Sequence, residues 1–238
     1  MLIEKRIAYE DEHVLIVKKP VGMASQSEKG FAEDCLSAVL GYRTRKGEPV
    51  YGAVINRLDK PVGGLVLIAK DRETAGKLSA LSGEHSIEKK YYALVTGTVT
   101  EKGEYTDELY KDPKANLSYV ADPVNGVIPS GAQLKKAKLL YEPVGTVSVE
   151  GETCTLLRVK LLTGRHHQIR VQMAYHGHPL YGDCKYNPAC AQRRDVSPAL
   201  YAYRLSFANP YGADHITVEC LPETGKFPQE ALNLLAKE

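Results

Sequence analysis

The stretch Ala53–Lys70, "AVINRLDKPVGGLVLIAK", joins a charged turn to an unbroken apolar run. Residues Gly63–Ala69 carry no polar side chain, and an apolar run of this length predicts a buried strand. The preceding triplet, Arg57-Leu58-Asp59, has two interpretations. Aspartate is common in turns that lead into strands, but a carboxylate with a guanidinium two residues away also suits a reaction site. The stretch alone leaves both interpretations open.

The composition is that of an ordinary globular protein. The chain has 238 residues, 43% hydrophobic and 25% charged, which suits one large domain or two small ones. Five cysteines and an early charge at Glu4 and Lys5 predict reduced thiols and a cytoplasmic protein. No apolar run approaches the ~20 residues of a membrane span, so no membrane association is expected.

Charge and aromatic content permit nucleic acid as a partner without requiring it. The formal net charge is only +2, and the fifteen tyrosines suit either half-buried strand positions or base stacking. Basic residues nevertheless form five local clusters: Lys18-Lys19, Arg43/Arg45/Lys46, Lys89-Lys90, Lys135/Lys136/Lys138 and Arg193-Arg194. Each cluster is typical of a solvated face or of a phosphate contact.

The order of predicted elements favours an α+β fold. Helical spacing and capping signals predict four helices: one with apolar positions from Phe31 to Leu40 and ended by Gly41, one from the N-cap Asp71 to Gly83, one opened by Arg165 and ended by Gly177, and one after Pro228. Strands outnumber these helices and do not alternate with them. We therefore expect a mostly antiparallel mixed sheet with flanking helices rather than a doubly wound parallel fold.

A second informative stretch is Leu161–Asp183, "LLTGRHHQIRVQMAYHGHPLYGD". A strand is expected to end at Thr163, and Gly164 provides a turn into the predicted helix. Arg165 at a helix N-terminus makes an anion site for a carboxylate or a phosphate. A solvated arginine at a strand–helix corner explains the pattern equally well.

The histidines and cysteines near this stretch do not have the spacing of a metal site. His166 and His167 are adjacent, so they should point apart on a helix, and neither C-x-x-C nor H-E-x-x-H occurs. A phosphate-binding glycine loop and a dinucleotide-binding turn are also missing from the sequence. We therefore predict neither a metal nor an organic cofactor.

A third stretch, "IEKKYYALVTG", places two lysines before a tyrosine pair on a predicted strand. Successive strand residues face opposite sides of a sheet. One of Tyr91 and Tyr92 is therefore expected in the core, and the other is expected to face a cleft.

Together these stretches resemble the RluA family of pseudouridine synthases. The family pattern "HRLDxxTSGLLLLAK" is here "NRLDKPVGGLVLIAK", "KxYxALVxG" is "KKYYALVTG", and "TGRxHQIRVHLxxxGHPIxGDxxY" is "TGRHHQIRVQMAYHGHPLYGDCKY". An early "VxKPxG" matches Val17–Gly22, and a late "HAxRLxFxHP" resembles Leu200–Pro210. The chain departs from the pattern at Asn56, at Val62-Gly63 and at Gln172.

The resemblance implies one catalytic domain over residues 1–238, in two lobes around a central cleft and without a separate N-terminal RNA-binding module. It implies an enzyme that isomerises specific uridines of structured rRNA or tRNA to pseudouridine, needs no cofactor or metal and acts as a monomer. The alternatives from other classes are a non-catalytic RNA-binding or ribosome-assembly protein that keeps the fold, and a metal-dependent hydrolase that uses the histidines.

The resemblance also implies roles for individual residues. Asp59 matches the catalytic aspartate, Arg165 the arginine that pairs with it, and Tyr91 the tyrosine that packs on the target base. The remaining implied residues bind substrate: Arg57, Asn56, Lys90, His167, Gln168 and Arg170. The target base must leave its stack to be reached, and the carboxylate must stay ionised in a water-poor pocket, which a nearby arginine favours.

Overall fold

The computed structural model describes residues 3–27, 33–124, 126, 128–190, 196–223 and 227–236. The chain divides into two compact units. The first unit contains residues 1–89 and 201–222, and the second contains residues 90–200 and 223–238. The predicted basic pair Arg193-Arg194 lies outside the described residues.

The described residues form eleven strands and four α-helices. The strands are β1 (Ile7–Glu10), β2 (Val14–Lys19), β3 (Ala53–Val54), β4 (Gly63–Ala69), β5 (Glu88–Thr96), β6 (Gly103–Asp112), β7 (Leu117–Val120), β8 (Lys135–Val149), β9 (Glu152–Leu161), β10 (Leu200–Ala208) and β11 (His215–Glu219). The helices are α1 (Cys35–Arg45), α2 (Arg72–Gly83), α3 (Gln168–Tyr175) and α4 (Gln229–Leu235). Short 3-10 segments occupy Ile3–Arg6 and Pro188–Cys190.

The first unit is built around β4, whose seven residues are all buried. β4 pairs antiparallel with β2 and with β3, and it pairs parallel with β10. At the edges, β1 pairs antiparallel with β2, and β11 pairs antiparallel with β10. Leu65 and Leu67 of β4 pack in one apolar cluster with Phe207 of β10 and Leu78 of α2. A strand buried on both faces reads as a continuous apolar run, which explains the sequence of β4.

The second unit is a sheet in the order β5-β9-β8-β6-β7. β9, β8, β6 and β7 pair antiparallel in succession. Val171 of α3 packs with Leu109 of β6 and Ala137 of β8 in a small apolar cluster. The α+β class and the mostly antiparallel sheet are therefore confirmed, with β4 and β10 as a parallel pair.

Two predicted helix boundaries are wrong. α1 runs through Gly41 and ends at Arg45, with Lys46 as its C-cap, because a glycine within a helix lowers stability without ending it. α3 begins at Gln168 rather than at Arg165, and its N-cap His167 has a left-handed φ of 54°. The prediction for α2 is confirmed, since the Asp71 side chain accepts a hydrogen bond from the Thr74 N–H.

Candidate active site

Asp59 lies in the first unit on the loop between β3 and β4. We call residues 56–62 the Asp59 loop. Asn56 and Leu58 are buried, Asp59 is half-buried, and Arg57 is exposed. The Asp59 carbonyl accepts the Val62 N–H at 2.9 Å, which closes a tight turn around the charged residues. Buried residues, Asn56 and Leu58, therefore alternate along the loop with the more exposed charged residues Arg57 and Asp59.

Asn56 fixes the start of the loop to β4. Its Nδ2 donates to the Leu65 carbonyl at 3.1 Å, and its Oδ1 accepts the Leu67 N–H at 2.7 Å. One amide side chain thus satisfies a donor and an acceptor of a buried strand, which would be costly to leave without partners. This explains how asparagine serves where the family pattern has histidine.

Ser25 fixes the middle of the loop. Its buried hydroxyl donates to the Leu58 carbonyl at 3.0 Å and accepts the Leu58 N–H at 2.9 Å. Leu58 lies between Arg57 and Asp59, so one side chain from a segment 33 residues earlier fixes the backbone between the two charged residues.

Lys19 fixes the end of the loop from beneath. The side chain is 1% exposed, and its Nζ donates to the carbonyls of Pro20, Met23 and Lys60 at 3.1, 2.6 and 3.3 Å. The Lys60 carbonyl also accepts the Gly22 N–H at 2.9 Å. The sequence prediction of a basic surface cluster at Lys18-Lys19 is wrong for Lys19, because the ammonium binds backbone carbonyls inside the unit.

The buried position of Lys19 changes its acid–base behaviour. Burial lowers the pKa of Lys19 to about 8 from an ordinary 10.5, while Cys35 and Asp59 act in the opposite direction. Desolvation penalises the charged form, and a nearby carboxylate restores part of it. Lys19 and Asp59 therefore interact electrostatically within the first unit.

Two glycines let β4 approach β10 closely just after the loop. Gly63 and Gly64 face Tyr201 and Ala202 across the parallel pairing. Gly64 has a φ of +124°, and a Cβ there would collide with the backbone of Ala202. A Cβ on Gly63 would lie 3.1 Å from the Tyr201 ring, so the glycine that replaces the family's serine accommodates this tyrosine.

Arg165 lies in the second unit, on a turn that precedes α3. We call residues 163–168 the Arg165 turn. The buried Gln168 side chain organises it: Oε1 accepts the Arg165 N–H at 3.0 Å and the Thr163 hydroxyl at 2.8 Å, and Nε2 donates to the Lys138 carbonyl at 3.1 Å. The half-buried Arg165 donates from Nε to the Lys136 carbonyl at 2.9 Å. Arg165 is thus held by a glutamine-bridged turn rather than by a helix N-terminus.

His167 is part of a buried network beside this turn. Its Nδ1 lies 2.7 Å from the Tyr186 hydroxyl, and its ring stacks on His166 with centroids 3.8 Å apart. The prediction that His166 and His167 point apart is wrong. His167 has a left-handed conformation and precedes the first residue of α3, so the two histidines do not lie on a helix. Burial, with the positive charge of Arg170 second, lowers the pKa of His167 to about 3, so this ring is neutral at physiological pH.

Arg170 is buried on α3 and forms a two-point ion pair with Asp183. Its Nε and Nη2 donate to Oδ2 and Oδ1 of Asp183, both at 2.7 Å, and the two side chains are 3% and 1% exposed. A bidentate pair of this kind is rigid and strongly directional. Arg170 therefore links α3 to the segment that follows it.

Tyr91 and Lys90 lie on β5 in the second unit. Tyr91 and Tyr92 are each 6% exposed, so burial does not distinguish the tyrosine expected in the core from the one expected to face a cleft. Lys90 is half-buried, and burial lowers the pKa of its neighbour Lys89.

The predicted residues thus form two local groups. Arg57, Asn56 and Asp59 share one loop of the first unit, and Arg165, His167, Gln168 and Arg170 share a turn and helix of the second, with Tyr91 and Lys90 on β5. The sequence prediction missed Lys19 and Ser25 as anchors of the Asp59 loop. The sequence signal for Lys19 is its place directly before Pro20-Val21-Gly22, within the early motif that matches the family pattern.

Among the described residues, no group of three or more His, Cys, Asp or Glu side chains could hold a metal ion. Within the same residues, no helix is long and apolar enough to cross a membrane.

Comparisons with known proteins agree on one family. A family model described as RNA pseudouridylate synthase matches residues 13–175. The chain is 30% identical over 232 residues to tRNA pseudouridine synthase C of Haemophilus ducreyi, covering 92% of this chain and 91% of that protein. It is 35% identical over 185 residues to ribosomal large subunit pseudouridine synthase D of Pseudomonas aeruginosa, covering 77% of this chain and 54% of that protein.

A solved structure supports the same fold. Human RNA Pseudouridylate Synthase Domain Containing 1 superimposes with a TM-score of 0.73 at 21% identity, covering 92% of this chain and 83% of that one.

Proposed function

Because the chain belongs to the RNA pseudouridylate synthase family and is an isomerase acting on RNA uridine, we propose that Asp59 is its catalytic carboxylate. In the reaction the bond between N1 of uracil and C1′ of ribose breaks, the base turns, and C5 bonds to C1′. The proton that leaves C5 is balanced by a proton gained at N1, so the reaction is an isomerisation. Asp59 can attack C1′, remove the C2′ proton or add to C6, and each route needs the ionised carboxylate.

The observation that carries this proposal is the way in which the Asp59 loop is held. Asn56, Ser25 and Lys19 bind the backbone on each side of Asp59, while Asp59 itself remains half-buried. Catalytic groups need positioning to within a fraction of an ångström, and buried supporting hydrogen bonds supply it. A turn needed only to reverse the chain would not require three buried polar anchors.

We assign to Arg165 the task of keeping the Asp59 carboxylate ionised during the reaction. Desolvation by a bound base would favour the protonated acid, and a guanidinium opposes that change. The geometry of the Arg165 turn supports this assignment. The Arg165 N–H donates to the Gln168 side chain, and the Arg165 Nε donates to the Lys136 carbonyl, so the residue is held in place.

Tyr91 is assigned to the base. An aromatic ring stacks on uracil and holds it after the N1–C1′ bond breaks, and its hydroxyl is suited to take part in removal of the C5 proton. The low exposure of Tyr91 suits a pocket from which water is excluded.

The predicted RNA-binding set separates by burial. We propose that the exposed Arg57 and the half-buried Lys90 contact RNA directly. Asn56, His167, Gln168 and Arg170 are buried and bind other parts of their own units, so we propose that they position the contacting residues instead.

The substrate that we propose is a structured tRNA or rRNA, met by a monomeric enzyme in the cytoplasm. Relatives named for tRNA and for the large ribosomal subunit support these two RNA classes. The five free cysteines suit a reducing compartment.

The test is to map pseudouridine in tRNA and rRNA from a strain that lacks the gene, before and after incubation with the purified protein. We expect at least one uridine to be unmodified in the deletion strain and to be converted by the wild-type protein but not by an Asp59→Asn variant. RNA binding without any conversion would instead support a non-catalytic protein and overturn the proposal.

A further inference from the structure

The second unit contains a groove in which Arg165 is the only lining residue that the reaction described above uses. It has a volume of about 940 Å³ and is bounded by the end of β6, the start of β7, residues 129–133 and the Arg165 turn. Its volume lies within the range of about 300–1,000 Å³ that is usual for small-ligand sites.

The groove exists because the sheet opens at this point. The register between β6 and β8 ends at Leu109 and Lys135, whereas β6 continues to Asp112 in pairing with β7. Tyr110 to Asp112 therefore extend past the first residue of β8. The space beside this extension forms the groove.

Two stacked tyrosines line the groove. Tyr110 and Tyr119 lie directly opposite each other on β6 and β7, and their ring centroids are 5.4 Å apart at an interplanar angle of 25°. Tyr119 as a residue is 38% exposed. An exposed aromatic ring backed by a second ring is a rigid stacking platform of the kind that holds an unpaired base.

Positive charge surrounds this platform. Lys111, Lys135 and Arg165 line the groove, against Asp112 as the one carboxylate among the lining residues. The Asp112 carboxylate accepts the N–H groups of Lys114 and Ala115, so it is occupied by the hairpin's own turn. Cations beside a stacking platform suit a phosphate joined to a base.

We propose that this groove binds one unpaired nucleotide of the substrate RNA, next to the target uridine, with its base on Tyr119 and its phosphate near Lys111 and Lys135. The inference rests on the proposed function, since Arg165 belongs to the groove and is assigned to the reaction. A duplex would not fit this chemistry, because its bases are stacked on one another and present no free face. The groove therefore selects RNA in which a neighbour of the target is unpaired.

The test uses photocrosslinking, which does not depend on turnover. An oligouridylate with one 5-iodouridine is bound to the Asp59→Asn variant, irradiated, and the protein is digested with trypsin. The tryptic segments separate the candidates, since residues 115–135 contain Tyr119 as their only tyrosine and residues 91–102 contain Tyr91 and Tyr92. We expect crosslinks in both segments. Crosslinks in residues 91–102 alone would overturn the groove proposal and leave the proposed function standing.

Binding of the same oligouridylate gives a second measure. Tyr119→Ala should weaken binding about tenfold, whereas Tyr119→Phe should stay within about twofold because the stacking ring remains. Tyr175→Ala is the matched control, since Tyr175 is also exposed and lies in the same unit outside the groove. Equal affinities of Tyr119→Ala and Tyr175→Ala would overturn the proposal, and thermal melting checks that each variant is folded.

Discussion

The Asp59 loop and the Arg165 turn both hold a charged residue in place, but their anchoring side chains come from different distances along the chain. Both present a charged side chain from a backbone that buried side chains hold in place. The Asp59 loop depends on Ser25 and Lys19, which lie 33 and 41 residues before the atoms that they bind. The Arg165 turn depends on Gln168, three residues after Arg165, and on backbone carbonyls of β8.

The difference shows how each charge is positioned. The Asp59 loop is held by side chains from an earlier segment of the chain, whereas the Arg165 turn combines one nearby side chain, Gln168, with backbone carbonyls of β8. In the proposed reaction Asp59 acts on the substrate itself, whereas Arg165 supplies charge to Asp59, and both roles need a fixed geometry. Variants of the two regions should therefore differ both in the size and in the kind of their effects.

The largest effect is expected for Asp59→Asn. The amide keeps the shape of the side chain and loses the charge, so turnover should fall by about 10⁴-fold or more. Tritium release from RNA labelled at C5 of uridine measures turnover, and filter binding should show nearly unchanged affinity. Retained tritium release would remove Asp59 from the attacking role.

The Arg165→Met variant tests the other region. Removing one preorganised charge usually costs about 10²–10³-fold in rate, so we expect a loss near 10³-fold with a change in RNA affinity of only a few fold. A loss seen mainly in affinity, with normal turnover at saturating RNA, would show that Arg165 acts as a phosphate contact.

Tyr91→Phe separates stacking from proton transfer. The ring remains, so RNA affinity should be normal, but loss of a proton-transfer group should reduce turnover by about 10²-fold. Tyr92→Phe is the matched control, because both rings are equally buried on the same strand. Full activity of Tyr91→Phe would leave stacking as its role, and a larger loss in Tyr92→Phe would reverse the assignment.

The buried ammonium beneath the Asp59 loop predicts a pH effect on stability. Burial lowers the pKa of Lys19 to about 8 from 10.5, so between these values the unfolded chain binds a proton that the folded chain has lost. Stability should therefore rise as the pH increases through this window, by about 2 kcal/mol between about pH 7.5 and about pH 10. Urea unfolding of wild type and Lys19→Met measures the difference, and an identical rise in both would show that other groups cause it.

The smallest effect is expected for Ser25→Ala. Loss of the hydroxyl frees both backbone groups of Leu58, so the Asp59 loop should be less well positioned and turnover should fall about tenfold, while RNA affinity stays unchanged. Ser148→Ala, at an exposed position of β8, is the control. Equal rates for the two variants would mean that the loop keeps its geometry without its long-range anchor.

Local patterns predicted those parts of the molecule whose causes are local. The apolar run of β4 and the Asp71 cap of α2 both follow from residues within a few positions of each other. The placement of Asp59 before β4 was equally visible, and its proposed role followed from the resemblance to a family.

The remaining features depend on contacts that the sequence does not display. Lys19 looks like half of a basic surface pair, and only the folded chain brings the carbonyls of Met23 and Lys60 around its ammonium. The start of α3 shifted because the Gln168 side chain binds the Arg165 N–H. Capping rules do not predict that a glutamine side chain accepts the N–H group that would otherwise belong to the first turn of the helix. Charge counts do not predict that a lysine is buried.

The parallel pairing of β4 with β10 sets an order of maturation during synthesis. Gly63 and Gly64, which follow the Asp59 loop, pair with Tyr201 and Ala202, and these residues leave the ribosome long after β4. Domains fold as their segments emerge, so the contacts of the Arg165 turn, all between residues 136 and 168, are available earlier. The sheet beside the Asp59 loop therefore stays incomplete until β10 has been made, although the loop itself lies early in the chain. A nascent chain that lacks β10 would carry Asp59 beside an incomplete sheet, and we expect such a chain not to modify RNA.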